Sequence, residues 1–379
     1  MLWFRARRSH LAGPGAPDAA TAATAILGAQ SQQLSPALLA LSQRTESRPT
    51  AAELDKALVE SPRSLVRAWG QRGTVHVYAA RMDWPLVIAA RGTWNDVMRR
   101  GEMPSKAAVD AAWRALLKSD KPLTRRDIEP LVPASYVKAI EDRVNAFGMD
   151  PLRFAAGRLL WSLVLRGDAC FGLKFGSEQG YAARQNWFPE LDWPDLAAQD
   201  AATELARRYL GTYGPATAQD LAHFFTAKVS TARGWLDVLG GRDLLATIEC
   251  GDKKDLVALR EDVEDLLAVP PGKSSEWPLR LLPLWDCLLM GHADKSWTVP
   301  EQADQKRVWR KSAVVAAVAL DRGRVVANWT QTVKRRRLFI EVEPLTRWRK
   351  SRHLSQVRRE ANAVAAHLGL EGVDVNVTG

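Results

Sequence analysis

Few of the side chains from which catalytic centres are usually assembled occur here in workable spacings. The three cysteines of the 379 residues, Cys170, Cys250 and Cys287, lie far apart and match no metal-binding or redox spacing. Neither a disulfide framework nor a zinc site is expected, and a reduced, intracellular protein is. The six histidines, His10, His76, His223, His292, His353 and His367, have no ligand spacing either, so no metal is expected. Absent too are a Gly-rich phosphate loop followed by Lys-Ser or Lys-Thr, a His-Glu-x-x-His and a Gly-x-Ser-x-Gly. No apolar run approaches the roughly 20 residues of a membrane span; Ala313 to Leu320 is far shorter. The first residues, Met1-Leu2-Trp3-Phe4-Arg5-Ala6-Arg7-Arg8, put their apolar side chains ahead of their charges and lack the apolar core of a signal peptide. The expectation is a soluble, cytoplasmic chain.

What is present is apolar and basic. Hydrophobic residues make up 46% of the sequence, ample for buried cores, and the length suits several domains or one large one. Lys plus Arg exceed Asp plus Glu by 53 − 43 = 10, with a pI near 9.7. That is the electrostatic footprint of a polyanion binder, shared by proteins that bind DNA, RNA or membrane headgroups. The 15 tryptophans are scattered, which reads as core rather than as a base-stacking platform.

One short stretch stands out: Leu27-Gly28-Ala29-Gln30-Ser31-Gln32-Gln33-Leu34-Ser35-Pro36. It follows an Ala/Thr-rich helical run that Asp18 can cap and Gly28 can end, and Ser35 with Pro36 reads as the cap and first position of the next helix. The glutamines then lie between helices. Side chains two apart share a face only in an extended segment, so Gln30 and Gln32 can point into one site. Alone, three amides in four residues read as a solvated loop; their company gives them weight.

The next stretch repeats an outline. Thr50-Ala51-Ala52-Glu53 is a capping box opening a helix to about Val59, Ser61-Pro62 reads as opening another to Trp69, and Gly73 to Tyr78 alternates as a strand. Helix, helix, strand is the outline of a winged helix-turn-helix. It returns as a short helix after Leu123-Thr124, an amphipathic helix from Phe154 to Leu165 and a strand from Ala169 to Phe175 that leads to a wing. Helices from Ala201 to Leu210, Ala218 to Phe225 and Thr231 to Leu239 follow, with Gly214-Pro215-Ala216-Thr217 as turn and cap. Leu281 to Asp286 reads as buried. Ala313 to Leu320, Arg324 to Trp329 and Leu338 to Val342 read as strands joined by tight turns, and Leu354 to Leu368 as a closing amphipathic helix. His76, in its strand, and Asp286, in its apolar run, read as structural residues rather than as a general acid or base. The sequence thus predicts an α+β, mainly helical fold of tandem winged-helix units: 1–121 carrying the glutamines, 122–195, and 196–379 with a β-rich C-terminal extension. Basic residues cluster in that last part, and Lys334, Arg335, Arg336, Arg337, Arg347, Arg349 and Lys350 are the candidate DNA contacts.

In order, Leu27-Gly28-Ala29-Gln30-Ser31-Gln32 with Arg44, Arg72-Gly73-Thr74-Val75-His76, Tyr213-Gly214-Pro215-Ala216-Thr217, and Leu281-Leu282-Pro283-Leu284-Trp285-Asp286 with Leu289 and Gly291-His292-Ala293-Asp294 resemble the bacterial AlkZ/YcaQ-like family. The resemblance runs from about Asp18 to Leu370. These are winged-helix DNA glycosylases that unhook interstrand crosslinks and remove bulky N7-alkylguanine adducts. It implies a C-shaped stack of tandem winged helices with duplex DNA on a concave basic surface, and a catalytic Gln-x-Gln or Gln-x-Asp motif. Gln30 and Gln32 match the two catalytic positions. Glutamine at the second position resembles the AlkZ branch, associated with self-resistance to DNA-alkylating natural products. Ser31 stands where the family usually has an aliphatic residue.

Amides suit that chemistry. Glycosidic cleavage passes through an oxocarbenium-like state, and a neutral leaving base needs an acid to protonate it. N7-alkylguanine is already cationic and leaves without one. The protein need only place a water and surround the developing charge with oxygen dipoles, leaving amide nitrogens to bind the water or a phosphate. The expected activity is therefore that of a monofunctional hydrolytic glycosylase on double-stranded DNA with alkylated guanine, monomeric and without a cofactor. The alternative is a non-catalytic winged-helix DNA-binding protein or transcriptional regulator, since fold alone does not decide function.

Overall fold

The computed structural model describes residues 1–94, 102–311 and 313–378. The fold is α+β and mainly helical. After the helix Ala19–Ala25, whose N-cap Asp18 accepts a hydrogen bond from Thr21 N at 2.7 Å, Leu27 and Gly28 both turn left-handed. Gly28 has φ +89°, and a Cβ there would sit 2.3 Å from the Tyr78 ring, so backbone and packing both demand glycine. The chain leaves this turn extended, as β1 (Ala29–Gln30).

β1 is the edge of a five-stranded antiparallel sheet with β2 (Leu65–Trp69), β3 (Val75–Ala79), β4 (Ala169–Phe175) and β5 (Glu178–Ala183), in the order β1-β3-β2-β4-β5. Gln30 faces His76 in register, and Arg67 faces Phe171. Residues from 29–79 and from 169–183 therefore share one sheet. The helix expected from Ser61 to Trp69 does not form: Leu65–Trp69 is β2, hydrogen-bonded to β3 and β4. Leu65, Val66 and Ala68 are all buried, so the strand lacks the polar alternation that marks a half-exposed one, and pairing overrides the local Ser-Pro helix signal. Ser35 is likewise not a cap. The helix runs Leu34–Ser42 with Gln33 as N-cap, because the extended glutamine segment turns two residues sooner.

Local signals hold where caps are complete. The helix Ala51–Val59 carries the Thr50/Glu53 capping box, Arg125–Ile128 the Thr124/Asp127 box and Ala218–Phe225 the Thr217/Asp220 box. The helices Ala198–Tyr213, Ala218–Phe225 and Val229–Gly241 lead into the hairpin of β6 (Leu245–Cys250) and β7 (Lys253–Leu259). A second five-stranded sheet has the order β14-β13-β12-β11-β8, from β8 (Arg280–Leu282), β11 (Val318–Asp321), β12 (Arg324–Lys334), β13 (Arg337–Pro344) and β14 (Gly372–Val377). Between β8 and β11, β9 (Trp309–Arg310) and β10 (Val314–Val315) form a separate pair. The helix Lys350–His367 buries Val357, Ala361 and Val364 in the core of that second sheet. Every tryptophan is buried or half-buried, as a core role requires.

Candidate functional site

Gln30 is 7% exposed, Ser31 is fully buried and Gln32 is exposed. The edge strand continues one step past β1, because Ser31 N donates to Val75 O at 2.6 Å. The return bond of that ladder step is replaced. Val75 N donates to the Gln32 side chain, Oε1, at 2.9 Å, while Ser31 O accepts from Arg67 Nη2 at 2.8 Å. Arg67 Nε also reaches Ser31 Oγ at 3.4 Å and Nη1 reaches Gln179 Oε1 at 3.0 Å. The buried serine hydroxyl is thereby satisfied, which explains how a polar residue fits where an aliphatic one was expected.

Arg72 holds Gln30. Its backbone is left-handed at φ +59°, and its side chain bridges three elements. Nη2 donates to Gln30 Oε1 at 3.2 Å and lies 3.1 Å from His76 Nε2, while Nη1 donates to Phe224 O at 3.1 Å. The guanidinium also sits 5.0 Å over the Phe224 ring. His76 Nδ1 lies 3.1 Å from Thr74 O, an acceptor, so Nδ1 carries the proton and Nε2 offers its lone pair to Arg72. Burial, and then the charge of Arg72, hold the His76 imidazole well below its usual range. A neutral ring with both nitrogens engaged is a scaffold, as the sequence reading had it.

The amide orientations follow from chemistry. Arg72 and a backbone N–H can only donate, so both Oε1 atoms face them and both Nε2 groups face away. Each carbonyl oxygen keeps a second lone pair. Beside Gln32 runs an open groove of about 640 Å³, bounded by Leu34, Leu38, Asp55, Arg67 and Lys174 among others.

The motifs singled out in the sequence converge around this segment. Gln71 Nε2 donates to Leu27 O at 2.8 Å, Tyr78 donates to Gln71 Oε1, and Cys287 Sγ donates to Gly28 O at 3.0 Å. Burial pushes the Cys287 thiol up, consistent with a packed group rather than a nucleophile. Arg44 and Asp286, neither exposed at all, form a bidentate pair at 2.9 and 2.8 Å. Asp286 also caps the helix Cys287–Met290 through Leu288 N at 3.0 Å, so it is the buried partner and cap expected of it. Tyr213 donates to Ile26 O at 3.0 Å, and His292 Nε2 lies 2.9 Å from Tyr213 O.

The seven basic candidates are all exposed in the C-terminal part. Arg335 and Arg336 form the two-residue turn between β12 and β13, both with positive φ. Arg336 pairs with Glu371, Arg337 with Asp374 and Arg347 with Glu301. Arg349 donates to Thr346 O and Trp348 O. Lys334, Arg335 and Lys350 have no ion pair among the described residues. No hydrogen bond or ion pair joins any of the seven to Gln30 or Gln32. Sequence reasoning missed the roles of Arg67 and Arg72; the only signal was the Arg72-Gly73-Thr74-Val75-His76 string itself. No cluster of three or more His, Cys, Asp or Glu side chains that could hold a metal occurs among the described residues.

Comparison with known proteins identifies the family and the fold. A family model described as "DNA glycosylase AlkZ-like" matches residues 23–368. A Streptomyces sahachiroi protein named "Interstrand DNA cross-link repair glycosylase" is 26% identical over 336 residues, covering 86% of this chain and 85% of the relative. The solved structure of Streptomyces sahachiroi DNA glycosylase AlkZ shares the fold, with a TM-score of 0.79 over 100% of this chain and 98% of that one at 23% identity. A model match spanning all of these converging motifs, over residues 23–368, places the chain in the AlkZ-like family of DNA glycosylases.

Proposed function

We propose that this protein hydrolyses the N-glycosidic bond of N7-alkylguanine in duplex DNA, bulky adducts and interstrand crosslinks included, with Gln30 and Gln32 at the reacting sugar. The supporting observation is what surrounds the two amides. Among the described residues no carboxylate hydrogen-bonds either glutamine, and the histidine beside Gln30 is neutral and engaged. Neither amide is itself an acid or touches one that could protonate a neutral leaving base. Such a site suits a base that already carries positive charge. The free lone pair on each Oε1 faces the developing oxocarbenium charge, the Nε2 groups place the attacking water, and the groove beside Gln32 receives the adduct.

Under this reading the chain is a monomer of tandem winged-helix units that hold duplex DNA on a concave surface: 1–121 and 122–195, which share the sheet β1-β3-β2-β4-β5, and 196–379. Lys334, Arg335, Lys350 and their paired neighbours Arg336, Arg337, Arg347 and Arg349 supply phosphate contacts. The relative's repair of crosslinks motivates the choice of substrate. The test is release of N7-methylguanine and of a bulky N7 adduct from a defined duplex by the wild type, Gln30→Ala and Gln32→Ala. Each variant is expected to lose roughly 10²–10³ in rate, the scale of one removed transition-state dipole. Full release by both variants sinks the motif assignment. No release by the wild type on either substrate favours a non-catalytic DNA-binding protein, which footprinting would then expose by sequence-specific protection.

A further inference from the structure

We propose that Arg72, His223 and Lys295 form a subsite for a DNA phosphate flanking the scissile nucleotide. This rests on the reading of Gln30 as a residue of the reacting sugar. The three side chains come from separate parts of the sequence: the turn before β3, the helix Ala218–Phe225 and the 3-10 turn Lys295–Trp297. His223 Nε2 lies 3.4 Å from Lys295 Nζ. Arg72 holds Gln30 with one nitrogen and, through Phe224 O, the end of the helix that presents His223 with the other. Lys295 is fixed by its donation to His292 O at 2.8 Å and sits 5.1 Å over the Trp309 ring. Arg72 and Lys295 are half-buried and His223 is exposed, so the face they make is reachable from solvent.

No ion pair among the described residues neutralises this face, although the Asp220 and Asp294 carboxylates offset part of its charge from a distance. None of the three makes an ion pair among the described residues, and the carboxylates nearest in charge are occupied elsewhere. Asp220 spends both oxygens, accepting from Thr217 and from Ala293 N, and Asp294 pairs with Lys253. Repulsion among the three adds to burial in disfavouring their charged forms. Burial, and then Arg72, push the Lys295 amine down to about 8. Burial, then Lys295 and Arg72, push His223 down to about 4. A desolvated guanidinium without a counter-ion is costly. It is also misplaced for this chemistry, because positive charge beside Gln30 opposes the oxocarbenium charge forming on the sugar. One phosphate corrects both. The guanidinium and the ammonium are the donors a phosphate oxygen takes in charge-assisted bonds, the phosphate charge raises the imidazole beside them, and the nearest phosphates to a scissile nucleotide are its own.

The experiment uses the full chain and a duplex carrying a tetrahydrofuran abasic analogue, which binds without any base to release. By NMR, the His223 imidazole should titrate near its free value of about 4 without DNA and at least one unit higher with it. Lys295→Ala should lower the log–log salt slope of affinity for that duplex by about 0.9, the loss of one phosphate contact, and Lys295→Arg should restore it. An unmoved His223 titration with an unchanged slope overturns the subsite, even where base release proceeds normally. A His223 shift and a lowered slope in a protein that releases no base keep the subsite and refute the glycosylase reading instead. Should Lys295→Ala fail to fold, the wild-type His223 titration decides alone.

Discussion

The Arg44–Asp286 pair ties the helix Leu34–Ser42 to the turn that supports the glutamine segment, and its removal can be worked through. Both side chains have no exposure, with two bonds between them, a third from Arg44 to Ala40 O at 3.0 Å and the cap from Leu288 N. Asp286→Ala leaves a buried guanidinium alone, a cost of about 3–5 kcal/mol, and deletes a cap worth about 1 kcal/mol. Against a total stability on the order of 5–15 kcal/mol, that is a large fraction. Arg44→Ala strands the carboxylate and falls in the same range. The double variant Arg44→Met/Asp286→Leu behaves differently. It removes both charges together, and with them the buried Arg44 Nε that has no partner. It should lie within about 2 kcal/mol of the wild type, the cap being the main loss. Urea unfolding of the four proteins measures this as a double-mutant cycle, with the coupling read directly. Single variants each costing under about 1 kcal/mol, or a double variant as unstable as the two costs added, would refute the reasoning. Base release by the folded double variant then reports whether the pair also positions Gln30 and Gln32.

Acid should weaken the fold. His76 and His292 are both held well below their usual range, by burial first and then by Arg72 and Arg5 respectively. The unfolded chain therefore takes up protons that the folded chain refuses, and stability falls as pH drops below about 6.5. Between pH 7.5 and 5.5 each costs about 1.4 kcal/mol. Asp83, raised to about 6 by burial, works the other way and returns somewhat under about 1 kcal/mol. A net loss of stability is expected, with His223, held at about 4, adding to it, and a urea midpoint equal or higher at pH 5.5 contradicts it. Gly28→Ala must place its Cβ 2.3 Å from a Tyr78 ring carbon at φ +89°, so a loss above about 2 kcal/mol is expected; an unchanged melting temperature would show the turn to be looser than described. Replacing Lys334, Arg335 and Lys350 together by alanine should flatten the log–log salt slope of duplex affinity by up to about 2.7. An unchanged slope removes the hairpin from the DNA interface.

What the sequence revealed depended on how local each signal was. The capping boxes at Thr50/Glu53, Thr124/Asp127 and Thr217/Asp220 are complete within four residues, and their helices begin where expected. β2 was misread because a strand buried between two neighbours carries no alternation, while the Ser-Pro ahead of it imitates a helix start. The reach of β12 to Lys334 was missed for the opposite reason: its last five residues are exposed and all but Val333 are polar, and only pairing with β13 makes them a strand. Gln30 and Gln32 could be paired from an extended segment alone. The hold of Arg72 on Gln30, across 42 positions, and the meeting of His223 with Lys295, across 72, exist only once helices and sheet are assembled.

The hydrogen bond from Val75 N to Gln32 Oε1 gives the site a mechanical property. A Gln32 side chain that swings toward a substrate strips that N–H of its acceptor, at a cost of about 1–3 kcal/mol unless water replaces it. The strand edge thus acts as a spring on the side chain, and under the proposed reading of Gln32 it would draw the amide back to the same resting position after each product departs.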